Sequence, residues 1–158
     1  MTQRLLVALF ALSLVSPPSL RAEEQPAAQA SSYDQELAEQ LGADDYGMRR
    51  YVLVILKTGP TPVPAGPERD AIFRGHFANM TRLAEEGKLV LAGPLDGVDG
   101  WRGLFVFAVP DIEAAKALAE TDPVIASGEM IAEYHTYYGS AALMQVNELH
   151  GKVAKKGF

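Results

Sequence analysis

The sequence predicts an α+β domain with elements in the order strand, helix, strand, strand, helix, strand, and three observations point to it. Residues 51–57, YVLVILK, are apolar without a break until Lys57, the mark of a central strand buried on both faces. Residues 74–94, RGHFANMTRLAEEGKLVLAGP, pass from a helical apolar period to a short apolar strand across Gly87. Residues 101–109, WRGLFVFAV, follow the turn sequence DGVDG, so the second and third strands read as a hairpin. With right-handed crossovers this order gives the ferredoxin-like βαββαβ arrangement, a four-stranded antiparallel sheet with two helices on one face.

A length of 158 residues suits one such domain with some chain to spare. The spare part begins at the N-terminus. Residues 1–4 carry positive charge, residues 5–15 are apolar, and residues 16–22 are more polar and end in Ala22. This is the layout of a secretory signal peptide, and the apolar run falls short of the ~20 residues of a spanning helix. We expect cleavage after Ala22 and a periplasmic or secreted protein. The chain has no cysteine, which excludes disulfides and a lipid-bearing cysteine. The leader takes Arg4 and Arg21 of the 14 basic residues and none of the 20 acidic ones, moving the formal net charge from −6 to near −8. An acidic chain without a basic stripe is a poor partner for nucleic acid or an anionic membrane.

Residues 23–48 read as a linker and a short helix. Residues 23–31 hold only Glu, Gln, Pro, Ala and Ser, and Ser32 with Gln35 matches a capping box for a helix ending near Leu41 and Gly42. The domain proper spans residues 49–140. After the first strand, residues 58–67 contain four prolines, which allow neither helix nor inner strand. The first main helix, residues 68–86, places Ile72, Phe73, Phe77, Met80, Leu83 and Ala84 in one arc, with His76 inside it. A buried imidazole without a partner would cost about 1–3 kcal/mol, so another polar group must meet it. Residues 88–95 form the second strand. Residues 96–100 have too few oxygen ligands for a calcium loop and read as a turn.

In the third strand Trp101, Gly103, Phe105, Phe107 and Val109 face one way, and Arg102, Leu104, Val106 and Ala108 the other. Asp111 is a suitable N-cap for a second helix striped by Ile112, Ala115, Leu118 and Ala119. That helix must yield at Asp122-Pro123, with one more turn before Gly128. In the fourth strand, residues 129–138, Glu129, Glu133 and His135 oppose Met130, Ala132, Tyr134 and Tyr138. Residues 141–158 form a tail, helical to His150 from a Ser140 cap and frayed in its basic end, GKVAKKGF. Because the first and third strands are apolar on both faces, the face without helices needs a cover. A second copy on a two-fold axis supplies it most economically, so we expect a homodimer with sheets face to face.

The segments YVLVILKTGP, GHFANMTRLAEEGKLVLAGPL, RGLFVFAV, ALAETDPVIASG and AEYHTYYG resemble the YCII-related (YciI-like) family of dimeric α/β-barrel proteins, over about residues 50–143. The resemblance implies a His–Asp pair, here His76 and Asp122, and chemistry similar to that of a dehydrochlorinase in one branch of the family. An exported member is unusual in that family.

A neutral imidazole oriented by a carboxylate is a general base suited to lyase or isomerase chemistry without a cofactor. The same pair can equally tie one helix to another. Lys57, Arg102 and His135 are candidates for holding a ligand oxygen, and Tyr134, Tyr137 and especially Tyr138 for stacking an aromatic ring. The chain has no His-x-x-x-His pattern or clustered carboxylates for a metal, no Gly-rich phosphate loop and no nucleophile elbow. Two classes stay open: a small cofactor-independent enzyme acting on an aromatic or quinol-like molecule, and a non-catalytic dimeric module binding a small molecule or a protein.

Overall fold

The computed structural model describes residues 32–156. The leader and residues 23–31 lie outside them. Among the described residues the elements are α1 (Gln35–Leu41), β1 (Met48–Thr58), α2 (Pro67–Glu85), β2 (Leu89–Pro94), β3 (Trp101–Phe107), α3 (Ile112–Ala119), α4 (Pro123–Ala126), β4 (Met130–Ser140) and α5 (Val146–Val153). The sheet order is β2-β3-β1-β4, and every pairing is antiparallel. This is the ferredoxin-like α+β arrangement expected from the order of elements.

The alternation within β1 and β3 builds two apolar layers. Val52, Val54 and Leu56 join Phe105 and Phe107 beneath Leu83 of α2, Ala115 and Ala119 of α3 and Val124 of α4. Tyr51 and Val106 lie on the other face with Val90. Here the tail departs from the expected frayed end. A 3₁₀ segment, Ala141–Gln145, starts from the Ser140 hydroxyl, which accepts from the Ala142 amide at 3.2 Å. Leu143 and Met144 of this segment pack against Tyr51, Val90 and Val106. The Asn147 side chain then donates to the Leu89 carbonyl at 2.8 Å, and α5 runs on through Gly151 to Val153. The chain's own tail therefore covers part of the face assigned above to a second copy. Ile131 and Tyr137 on that face remain 48% and 39% exposed.

The helix ends follow local capping chemistry. Asp34, not Ser32, caps α1, its Oδ1 accepting from the Leu37 amide at 3.0 Å. Both residue types cap well, and the carboxylate also suits the positive end of the helix dipole. Asp111 caps α3 through the Ala114 amide at 2.8 Å, and Gly87 closes α2 with φ 67°. The buried face of α2 is narrower than the expected arc. His76, Asn79 and Leu83 are buried, while Phe77 is 45% exposed. No helix among the described residues is long and apolar enough to cross a membrane.

Candidate functional site

The break between α3 and α4 creates the site. Proline at position 123 ends one helical run and begins the next, and the residue before it must leave helical angles. Asp122 accordingly sits in an extended conformation as the N-cap of α4, with Oδ1 accepting from the Val124 amide at 3.1 Å. Its second oxygen, Oδ2, lies 2.8 Å from Nδ1 of His76 on α2. Asp122 is fully buried and His76 is 7% exposed.

The approach of the two helices depends on Gly75. A Cβ at that position would lie 2.8 Å from Cγ of Pro123, closer than packed carbons tolerate, so glycine here lets α2 settle onto the proline ring. Gly75→Ala should therefore destabilise the protein by about 1–3 kcal/mol in a denaturant melt, although alanine is the better helix former by about 1 kcal/mol. A variant more stable than the parent would show that the contact is not tight.

An ionised carboxylate only accepts hydrogen bonds. The Asp122 contact thus fixes the hydrogen of the neutral ring on Nδ1 and leaves the Nε2 lone pair free. Every fully buried side-chain nitrogen and oxygen among the described residues has a hydrogen-bond partner. Nε2 of His76 has none, so the small exposed part of the ring includes this atom. Three aromatic rings frame it, with centroids at 6.0 Å for Phe73, 5.3 Å for Phe77 and 6.0 Å for Phe105, the last nearly parallel at 28°. Nearly two turns along α2 from His76, the Arg82 guanidinium donates to Asn79 Oδ1 at 2.7 Å and Thr121 Oγ1 at 3.2 Å. That second polar link holds the segment just before Asp122.

A separate cluster anchors the proline-rich loop. The buried carboxylate of Glu129 accepts from the Val63 amide at 2.6 Å and from the Arg69 guanidinium at 2.9 Å, with Arg102 at 3.9 Å. The loop amides of Gly59 and Thr61 donate to the carbonyls of Glu129 and Gly128 at 2.9 and 3.1 Å. The loop's bonds thus run to the turn before β4. Burial pushes the Glu129 carboxyl up, but the Val63 amide and the two arginines outweigh it and hold the group below its ordinary range. Arg69 also lies over the Phe73 ring at 4.4 Å, which joins this cluster to the aromatic frame of His76.

The remaining candidates stand apart from the pair. Along the β1–β4 ladder Lys57 and Glu133 alternate away from Leu56 and Ala132, onto the sheet face opposite α2. There Glu133 accepts from Lys57 at 2.9 Å and contacts His135 Nε2 at 2.8 Å; first the lysine and then the histidine hold its carboxyl below the usual range. Arg102 belongs to the Glu129 cluster. Tyr138 lies near the far end of β4, where its hydroxyl donates to Asp44 Oδ2. Sequence reasoning missed Glu129 as a buried anchor, Gly75 as a contact and Phe105 as the platform under His76. A glycine in mid-helix, one residue before a histidine, was the available signal for the second.

Fold and pair together define a ferredoxin-like α+β protein with a histidine–aspartate pair between its helices. The profile of the YCII-related domain matches residues 16–137, and the chain belongs to that family. It is 36% identical over 69 residues to Protein YciI of Escherichia coli O6:H1, covering 39% of this chain and 70% of that protein. The match to Protein YciI of Shigella flexneri has the same identity and coverage.

Proposed function

We propose that this YCII-related protein is a small lyase or isomerase in which His76 acts as general base and Asp122 orients and balances it. The observation that carries this reading is the free, surface-reaching Nε2 of a ring whose other nitrogen is held by a buried carboxylate. Nε2 would take a proton from an activated carbon, and Asp122 would stabilise the imidazolium. The proton would then return to another atom, or the electron pair would expel a leaving group. Phe77, half exposed beside the ring, favours a planar, partly apolar substrate, in keeping with an aromatic or quinol-like molecule. The chemistry calls on proton transfer alone, without a cofactor.

A second reading, a non-catalytic binding module, draws on the low exposure of His76. A thermal-shift screen of quinols, lactones and aromatic acids separates the two. A substrate at 100 times its Kd should stabilise the parent by about 2.7 kcal/mol, and His76→Ala should lose both that shift and turnover. Ligand shifts that survive His76→Ala, with no turnover in either protein, would favour the module.

Two further expectations accompany the proposal. The protein acts as a homodimer through the sheet face that carries Ile131 and Tyr137, and it works outside the cytoplasm after losing residues 1–22. Ile131→Glu should convert a dimer to a folded monomer in sedimentation, since this side chain is half exposed in the single chain. A parent protein that sediments as a monomer would end that idea. Intact residues 1–22 in mass spectra of the mature protein would end the export reading.

A further inference from the structure

At the end of the β1–β4 pair where β1 begins, a cavity of about 460 Å³ is lined by Gly42, Asp44, Met48, Arg49, Arg50 and Tyr138. A smaller depression of about 130 Å³ adjoins it and shares Arg50 and Tyr138, with Pro110, Asp111 and Tyr137 among its walls. The larger volume falls within the range of small-molecule sites, about 300–1,000 Å³. Arg50 and Tyr138 are directly opposed in the ladder, so their side chains emerge as neighbours on one face.

The hydrogen-bonding capacity of this cavity is largely taken up. Asp44 Oδ1 accepts from the amides of Tyr46 at 2.9 Å and Met48 at 3.0 Å, and Oδ2 accepts from the Tyr138 hydroxyl. Arg49 donates to the Leu41 carbonyl at 2.8 Å and covers the Tyr51 ring at 5.3 Å. Arg50 is the exception. Among the described residues its guanidinium has neither a hydrogen-bond nor an ion-pair partner, although it borders both hollows. Its planar fork of donors matches a carboxylate in two-point contact. Tyr138, 52% exposed, presents its ring next to that fork. Its hydroxyl donates to Asp44 Oδ2, so the ring meets a ligand as the uncharged phenol. Each hollow holds one carboxylate, Asp44 in the larger and Asp111 in the smaller, but the larger also has Arg49 beside Arg50 in its wall, which directs the charged end of a ligand there.

We infer that this cavity binds a small aromatic carboxylate, its acid group on Arg50 and its ring on Tyr138, at a site separate from His76. The inference stands whether or not the His76–Asp122 pair is catalytic. Benzoate, with benzamide as its uncharged counterpart, tests it on the full chain by amide NMR. Benzoate at millimolar concentration should shift the resonances of Met48, Arg50 and Tyr138, and benzamide should do so only weakly. Arg50→Gln should weaken benzoate roughly 10- to 100-fold, the span of one charged hydrogen-bonded contact. Tyr138→Phe, which keeps the ring, should bind as the parent does, Tyr138→Ala should bind more weakly, and His76→Ala should leave binding unchanged. Equal binding of benzamide, unchanged binding by Arg50→Gln, or no shifts at these residues would overturn the inference. Shifts centred on His76 and abolished by His76→Ala would overturn it too, while supporting the proposed role of the pair.

Discussion

Asp122→Ala is expected to lower the free energy of unfolding by about 3 kcal/mol. The change removes an N-cap worth about 1 kcal/mol and a buried hydrogen bond to His76 worth roughly 1.5–3 kcal/mol, and it leaves Nδ1 without a partner. Asp122→Asn separates fold from chemistry. Its amide oxygen can keep the Val124 bond, so stability should fall by no more than about 1–2 kcal/mol. Its NH₂ group, however, then faces Nδ1 and drives the ring hydrogen to Nε2. A base with the wrong tautomer should lose roughly 10²- to 10⁴-fold in turnover. Urea melts and activity on a substrate from the screen read the two quantities apart. If Asp122→Asn retained full turnover, the pair would be structural.

The second large effect concerns Glu129. Glu129→Ala should cost about 2–3 kcal/mol, because the Val63 amide and the Arg69 guanidinium lose a buried acceptor together. Limited proteolysis should cut the proline-rich loop faster in this variant, and unchanged cleavage would show that other contacts hold the loop. The same cluster sets an acid limit. A carboxyl held below its unfolded value, near 4.3, stabilises the fold above that pH, and the contribution is lost as pH falls through the lower folded value. The stability of the parent should therefore decline below about pH 4, and Glu129→Gln should flatten that part of the curve. Equal slopes in the two proteins would remove Glu129 from the acid transition.

Sequence and structure agree where one periodicity governs a segment. The unbroken run at residues 51–57, the switch at Gly87 and the break at Asp122-Pro123 each follow from local backbone and burial rules, and the order of elements follows from them. His76 announced itself as a polar residue in an apolar arc, whereas its partner came from family resemblance, since nothing local links residues 46 positions apart. Glu129 was hidden because alternation grouped it with Glu133 and His135. The strand begins one residue later, at Met130, so the bend before it turns Glu129 toward Arg69 instead. The tail was hidden for a related reason. Leu143 and Met144 reach the sheet from a 3₁₀ segment, whose period matches neither the helix nor the strand pattern.

Nitrogen-edited NMR of the His76 ring tests the central claim most directly. In the neutral ring Nδ1 should carry the hydrogen, bonded to Asp122, and Nε2 should be bare and respond to solvent; Asp122→Asn should reverse the two. A neutral parent ring with its hydrogen on Nε2 and a bare Nδ1 would contradict the account, because the nitrogen proposed as the base could not accept a proton.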